Sequence, residues 1–140
     1  MFKWLKSLFV RRRVTIDSLV KGCKGNLASL SFDIGKTVLY RKDKEGEGFK
    51  RSSKTLADGY GDCEDFGMVW YDCLILLGYK PKLYACINEG GKSHAIVIFV
   101  KEGYWCFTSN ELYYKTNFGP HEKEEFLKFA YPAERYEVVV

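Results

Sequence analysis

The sequence lacks several features that would assign it at once to a large class of proteins. No apolar run approaches the roughly 20 residues of a transmembrane helix, and the longest apolar stretches, such as 95–100, have the length of a strand. There is no internal repeat, no low-complexity segment, no glycine-rich phosphate loop and no recognised nucleic-acid motif. The basic residues between Lys36 and Lys54 alternate with acidic ones, so no nucleic-acid partner is expected.

Cysteine and histidine are present, but not in the patterns that build structural sites. The five cysteines include no Cys-x-x-Cys pair, and the chain has only two histidines, so a zinc site is not expected. An odd and sparse set of cysteines is also a poor disulfide scaffold. We therefore expect free thiols in a reducing compartment, and so a cytoplasmic protein.

The 140 residues have a globular composition and enough length for one domain with its own core. Hydrophobic residues make up 46%, aromatic residues 16% and charged residues 29%, which excludes a disordered, collagen-like or coiled-coil chain. The net charge of +4 divides unevenly between the halves. Residues 1–58 carry +8 and residues 59–140 carry −4, so the basic half indicates either an anionic partner or a solvated face.

Residues 1–14 form a basic arm ahead of a single domain over 15–140. The arm has no uninterrupted apolar core and no small-residue cleavage site, so a secretory signal is not expected. Phe2, Leu5 and Phe9 recur at helical spacing, which predicts a short basic amphipathic helix. Such a helix either packs on its own domain or makes a peripheral membrane contact through residues 1–13.

Apolar periodicity and turn residues predict helices first and antiparallel strands later, which is an α+β domain. The predicted helices cover 15–26, 27–40, 63–77 and 119–129. The predicted strands cover 82–87, 93–100, 104–110 and 138–140. Residues 41–54 are polar and contain glycine, which is typical of an exposed loop.

The first candidate catalytic residue lies at the start of the helix predicted over 63–77. Asp62 is a good N-cap and Asp65 stands where its capping partner belongs. Cys63 therefore lies in the first turn, where the helix dipole and the free N–H groups favour a thiolate. A nucleophilic thiol needs a base, and His94 at the start of an apolar strand is the stronger of two candidates.

A third polar group follows from the hairpin after His94. Residues 101–103 suggest a three-residue loop with Gly103 left-handed, which places Asn110 opposite His94. Asn110 would then orient the imidazole toward Cys63. A register slip of one residue would bring Ser109 or Glu111 opposite His94 instead.

Four segments together resemble the transglutaminase-like superfamily, in particular small bacterial transglutaminase-like cysteine proteinases and related phage-encoded proteins. The segments are Gly61-Asp62-Cys63-Glu64-Asp65-Phe66, Leu77-Gly78-Tyr79, Ser93-His94-Ala95-Ile96-Val97 and Tyr104-Trp105-Cys106-Phe107. The resemblance implies a papain-like core, with a nucleophile helix packed on an antiparallel sheet. It also implies a cysteine peptidase or amidase that acts on protein or peptide through a thioester. The roles of nucleophile and base would fall on Cys63 and His94, and the orienting role on Asn110 or Ser109.

The sequence departs from the family at the orienting position, where the family usually has Asp. This departure favours the alternative of a catalytically inactive binding or structural module with the same fold. No cofactor is required, although in some relatives the carboxylates beside the cysteine bind calcium, which would fall on Asp62 and Glu64. Trp105 and Tyr60 are further candidates, for the lining of a substrate groove, and an aromatic core is the competing interpretation.

Overall fold

The computed structural model describes residues 13–42 and 50–140. The predicted basic arm lies almost wholly outside these residues, so its helix and its membrane contact stay predictions. Within the described ranges, no helix has both the length and the apolar character needed to cross a bilayer.

The described chain forms five helices and seven strands, numbered here in chain order. The helices are α1 (Ile16–Cys23), α2 (Leu27–Thr37), α3 (Ser52–Asp58), α4 (Cys63–Leu76) and α5 (Lys123–Ala130). The strands are β1 (Leu39–Tyr40), β2 (Tyr60–Gly61), β3 (Lys82–Ile87), β4 (His94–Lys101), β5 (Tyr104–Ser109), β6 (Leu112–Lys115) and β7 (Arg135–Val138).

Five strands form one antiparallel sheet in the order β6-β5-β4-β3-β7. Strands β1 and β2 make a separate short parallel pair that joins the end of α2 to the residues before α4. The helices precede the sheet in the chain, apart from α5 near the C-terminus. The α+β class expected from the sequence is confirmed.

Strand β4 lies at the centre of the sheet and is buried on both faces. Its residues Ala95, Val97 and Phe99 pack against α1, α2 and α4, whereas Ile96 and Ile98 pack against α5 on the other face. The alternation has the period of two that a strand imposes. Because β4 is central, its first residue, His94, is held between two packed layers.

The hairpin between β4 and β5 differs from the sequence prediction. Lys101 pairs with Tyr104, so the turn contains two residues, and both Glu102 (φ 53°) and Gly103 (φ 86°) are left-handed. This is the dihedral signature of a type I′ turn, whose twist matches that of the flanking strands. The three-residue loop was therefore wrong, and the strand register shifts by one residue.

Several element boundaries also differ from the prediction. Helix α3 begins at Ser52, inside the segment expected to be a loop, and β6 was not predicted. Helix α5 begins at Lys123 rather than at Pro120, because residues 120 and 121 form a turn and Glu122 is the N-cap. The closing strand lies at 135–138 rather than at 138–140 and forms the edge of the sheet.

Gly67 sets how closely α4 approaches the sheet. A Cβ added at this position would stand 2.5 Å from Leu83 Cδ1 on β3, closer than real carbon atoms approach. Leu83 is completely buried, so it has little room to move. The missing side chain therefore lets the helix lie directly on β3.

We expect Gly67→Ala to destabilise the protein by about 1–3 kcal/mol, because overpacking at Leu83 outweighs the gain of about 1 kcal/mol in helix propensity. The free energy of unfolding from urea titration measures this. Gly91→Ala is the matched control, since its added Cβ would meet only Asn88 Cβ at an ordinary 3.5 Å. Equal stability of the two variants would contradict the close approach.

Candidate active site

Cys63 is the first residue of α4, and a complete capping box fixes the helix start. Asp65 N–H donates to Asp62 Oδ1 at 3.1 Å, and Asp62 N–H donates to Asp65 Oδ2 at 2.9 Å. The predicted capping pair is confirmed. A Cβ added at Gly61 would stand 2.5 Å from Asp65 Cβ, so this glycine leaves room for the reciprocal bonds. The cap therefore holds Cys63 in one place at the helix end.

Lys50 also contacts the capping box, a role that no pattern in the sequence indicates. Its side chain is almost buried, its ammonium group donates to Tyr60 O at 3.1 Å, and it pairs with Asp58 at 3.4 Å. The same ammonium lies 4.0 Å from Asp65 Oδ2. A lysine within a polar segment is ordinarily exposed, so only the folded structure identifies it as part of the site.

His94 and Ser109 are in direct contact. His94 Nε2 lies 2.7 Å from Ser109 Oγ, and the His94 ring lies against Tyr131 with a centroid distance of 4.8 Å. His94 begins β4 and Ser109 ends β5, so the contact joins two neighbouring strand ends on the sheet face that carries α5. Because Nε2 is in contact with Ser109, Nδ1 is the ring nitrogen that remains for another partner.

Asn110, the first choice as the partner of His94, does not contact it. The two-residue hairpin pairs Ile96 with Ser109, and Asn110 follows the strand in a left-handed conformation (φ 51°). Its backbone oxygen accepts a hydrogen bond from Trp70, and its side-chain oxygen has no partner among the described residues. The observed register, shifted by one residue, would place Glu111 opposite His94, so the contact between His94 and Ser109 is diagonal across the two strands. The orienting role of Ser109, the second alternative from the sequence, stays a prediction.

The Cys63 sulfur lies near the start of β4. The Ala95 N–H faces the sulfur, and the Cys63 thiol is close enough to Cys86 to affect its pKa. Ala95 follows His94 in the chain, and Cys86 is directly opposite His94 on β3. The thiol and the imidazole therefore both lie near the start of β4, the thiol packed against the core on the α4 side of the sheet and His94 against Tyr131 on the α5 side. In the described part of the chain no hydrogen bond joins the two side chains.

Burial sets the protonation of both groups. It raises the pKa of the Cys63 thiol, and the neighbouring carboxylates of Asp62 and Glu64 raise it further, against the opposing effect of the Ala95 and Glu64 N–H groups. Burial lowers the pKa of His94. The thiolate expected from the helix dipole is thus disfavoured, because burial and two acidic neighbours outweigh the N–H groups. At neutral pH the resting site holds a thiol and a neutral imidazole.

The two aromatic groove candidates lie apart from one another. Trp105 is four residues from Ser109 along β5, roughly 13 Å away at the usual strand rise, and its ring stacks on Phe126. It therefore belongs to the core under α5 and does not join the cluster. Tyr60 is close to α4, and its ring contacts the Arg41 and Lys50 cations at 4.6 and 4.4 Å from the centroid.

The carboxylates beside Cys63 are engaged in local contacts. Asp62 and Asp65 cap the helix, and no group of three or more His, Cys, Asp or Glu side chains within 13–42 and 50–140 is arranged to hold a metal. Asp62 and Glu64 alone supply too few oxygen ligands for a Ca²⁺ shell of six to eight. The described residues beside Cys63 therefore do not complete a calcium shell, and the assignment of Asp62 and Glu64 as calcium ligands stays an untested prediction.

Comparisons with known proteins bear on the fold. No family model and no curated protein matches the chain. Structures of Legionella pneumophila LapG, a transglutaminase-like cysteine protease, do match. One has 22% identity and a TM-score of 0.50 over 71% of this chain, and the calcium-bound form has 23% and 0.53 over 72%. The chain has a papain-like, transglutaminase-like fold.

The match spans less than two thirds of LapG, since it covers 62% of that chain in both structures. An EGTA-treated LapG structure gives the same result, with 22% identity, a TM-score of 0.50, and coverage of 75% of this chain and 63% of LapG. At 22–23% identity this likeness shows the fold alone.

The capping box predicts a specific pH dependence of stability. Burial raises the pKa of Asp65 from 3.8 to about 6, so its contribution to stability is complete below pH 4 and is lost as pH rises through 6. Relative to Asp65→Asn, which does not titrate, the wild type should lose free energy of unfolding between pH 4 and 7. Urea titrations of both proteins across this range measure the difference. If the wild type instead gains stability relative to Asp65→Asn as the pH rises, the Lys50 ammonium and not burial determines the pKa of the Asp65 carboxyl.

Proposed function

We propose that the protein is a cysteine hydrolase, a peptidase or amidase, with Cys63 as nucleophile, His94 as base and Ser109 as orienting group. The observation that carries the proposal is the 2.7 Å contact between His94 Nε2 and Ser109 Oγ, at the corner of the sheet where Cys63 begins α4. A nucleophile, a base and a group that orients the base are the minimum set for acyl transfer through a thioester. The fold and the presence of a thiol support a protein or peptide substrate.

Ser109 determines which nitrogen of His94 acts. When Nε2 carries the proton, it donates to Ser109 Oγ, and Nδ1 keeps a free lone pair that can accept a proton. A hydroxyl carries no charge, so it orients the ring without stabilising the imidazolium as a carboxylate does. This agrees with a site in which both reacting groups are neutral at rest.

The reaction then follows as two balanced steps. The Cys63 sulfur attacks the substrate carbonyl while its proton passes to His94 Nδ1, and the imidazolium returns that proton to the departing amine, which leaves a thioester. In the second step His94 takes a proton from water, whose oxygen attacks the thioester. The imidazolium then returns that proton to the departing Cys63 sulfur, which releases the acid and restores the thiol. The Cys63 N–H, which is free at the helix start, stabilises the oxyanion.

A second candidate function keeps the fold and lacks the chemistry. Two observations favour a binding module with an unreactive thiol: the raised pKa of Cys63, and the lack of a carboxylate hydrogen-bonded to His94 within 13–42 and 50–140. In that case the protein would bind its partner without turnover. Chemical reactivity at Cys63 separates the two candidates.

Hydrolysis of 4-nitrophenyl acetate tests the proposal, because an activated ester needs no specific groove. We expect turnover that is lost in Cys63→Ala and falls about 100-fold in His94→Ala, within the usual range for a general base. Cys73→Ala and His121→Ala are matched controls, since Cys73 is completely buried in the core on α4 and His121 is exposed. Wild-type rates no higher than those of Cys63→Ala would support the binding module.

The same assay predicts a pH profile. Because burial lowers the pKa of His94 below 6.5, the imidazole stays neutral, and able to accept a proton, to a lower pH than a free histidine. The rate of turnover should therefore fall only below pH 6.5, as His94 becomes protonated. Steady-state rates from pH 4.5 to 8 measure this limb. A fall that begins above pH 7 would contradict the neutral resting state.

A further inference from the structure

The turn after Ser109 is held by side chains from two helices. Asn110 and Glu111 connect β5 to β6, and the carbonyl oxygens of both accept a side-chain hydrogen bond. Trp70 Nε1 on α4 donates to Asn110 O at 3.0 Å, and Ser31 Oγ on α2 donates to Glu111 O at 2.6 Å. Each residue of the turn is thus tied to a different helix.

The Trp70 contact is in the core of the protein. Trp70 is completely buried, and its ring lies near Tyr113 of β6, with a centroid distance of 6.3 Å. Leaving a buried indole N–H without an acceptor is unfavourable, so the bond strongly favours one position of the Asn110 carbonyl. The turn must also keep Asn110 in its left-handed conformation, which is uncommon outside glycine.

Packing against α2 confines the same turn from the other side. A Cβ added at Gly35 would stand 3.3 Å from Glu111 Cγ, so the helix and the turn are already in close contact. Ser31 lies one helical turn before Gly35 on α2. The position of the turn is therefore fixed by both contact and hydrogen bonding.

Helix α4 links this turn to the nucleophile. Cys63 and Trp70 are seven residues apart on one helix, about 10 Å along its axis. Trp70 holds Asn110, and Asn110 directly follows Ser109, whose hydroxyl meets His94. One rigid element thus carries the candidate nucleophile and fixes the strand end that carries the orienting group.

We propose that Trp70 is a positioning residue of the active site, with Ser31 as its second anchor, which together hold Ser109 against His94. This inference rests on the proposed function for its effect on turnover. Neither residue touches the reacting atoms. Their action passes through the backbone of Asn110 and Glu111 to the Ser109 hydroxyl.

Trp70→Phe tests the inference, because it removes the N–H donor and retains an aromatic ring. We expect kcat for 4-nitrophenyl acetate to fall about threefold to tenfold, the loss that follows from weakening one hydrogen bond, with KM unchanged. In the Ser109→Ala background the same substitution should change kcat by less than about twofold, since the contact through which it acts is already gone. Cys73→Ala, a buried change on the same helix, should leave kcat unaltered.

The titration of His94, followed by NMR, is independent of turnover. Loss of the Ser109 acceptor destabilises the imidazolium, so Ser109→Ala should lower the pKa of His94, and Trp70→Phe should move it in the same direction. If Trp70→Phe leaves the His94 titration at its wild-type position, or if its effect on kcat adds fully to that of Ser109→Ala, the inference is overturned. If His94→Ala retains full turnover while Trp70→Phe shifts the His94 titration, the proposed function is wrong but Trp70 still positions Ser109 against His94.

Ser31→Ala provides a second variant in case Trp70→Phe fails to fold. Ser31 is only partly buried, so the loss of its hydroxyl should leave the fold intact. We expect a smaller shift of the His94 titration in the same direction. A wild-type titration in Ser31→Ala, with Trp70→Phe unfolded, would also overturn the inference.

Discussion

The contact between α4 and the sheet at Gly67 is the constraint on which the candidate site depends. It brings the helix directly onto β3 at Leu83, and the helix start then falls beside the first residues of β4. Cys63 and His94 are 31 positions apart in the chain, and this packing brings the start of α4 to the start of β4, whose first residue is His94. A larger residue at position 67 would move α4, which carries the proposed nucleophile, away from β3.

The electrostatics of the corner oppose a charged resting state. Burial raises the pKa of Cys63 and lowers the pKa of His94, and the acidic residues at the helix start act in the same direction on the thiol. The free N–H groups of the helix favour a thiolate but do not outweigh these effects. The Ser109 hydroxyl beside His94 is uncharged, which is consistent with a proposed base that accepts a proton only when substrate is bound.

Local patterns in the sequence predict the elements of the site well. The capping residues Asp62 and Asp65 and the boundaries of α4 follow from residue type and spacing, and so does the α+β class. The partner of His94 depends on strand register, which a single residue in a turn decides. Glu102 in a left-handed conformation is not the preferred residue for a type I′ turn, so the sequence favoured the longer loop and Asn110.

Long-range polar contacts could not be predicted. Lys50 stands in a polar segment and Trp70 on an apolar stripe, and both appear in the sequence as ordinary surface and core residues. Their partners, the backbone of Tyr60 and of Asn110, are 10 and 40 positions away. Every residue has a backbone carbonyl, so residue type does not indicate which carbonyl accepts such a bond. Contacts of this kind are therefore visible only in the folded chain.

The rate of iodoacetamide labelling at Cys63 against pH, in the wild type and in His94→Ala, tests most directly whether the thiol and the imidazole work together. We expect slow labelling at pH 5, a rise in rate toward neutral pH, and a rate at pH 7 at least about tenfold lower in His94→Ala. Fast labelling at pH 5 would show a preformed thiolate and contradict the neutral pair. Identical rates in the two proteins across the pH range would show that His94 does not act on Cys63.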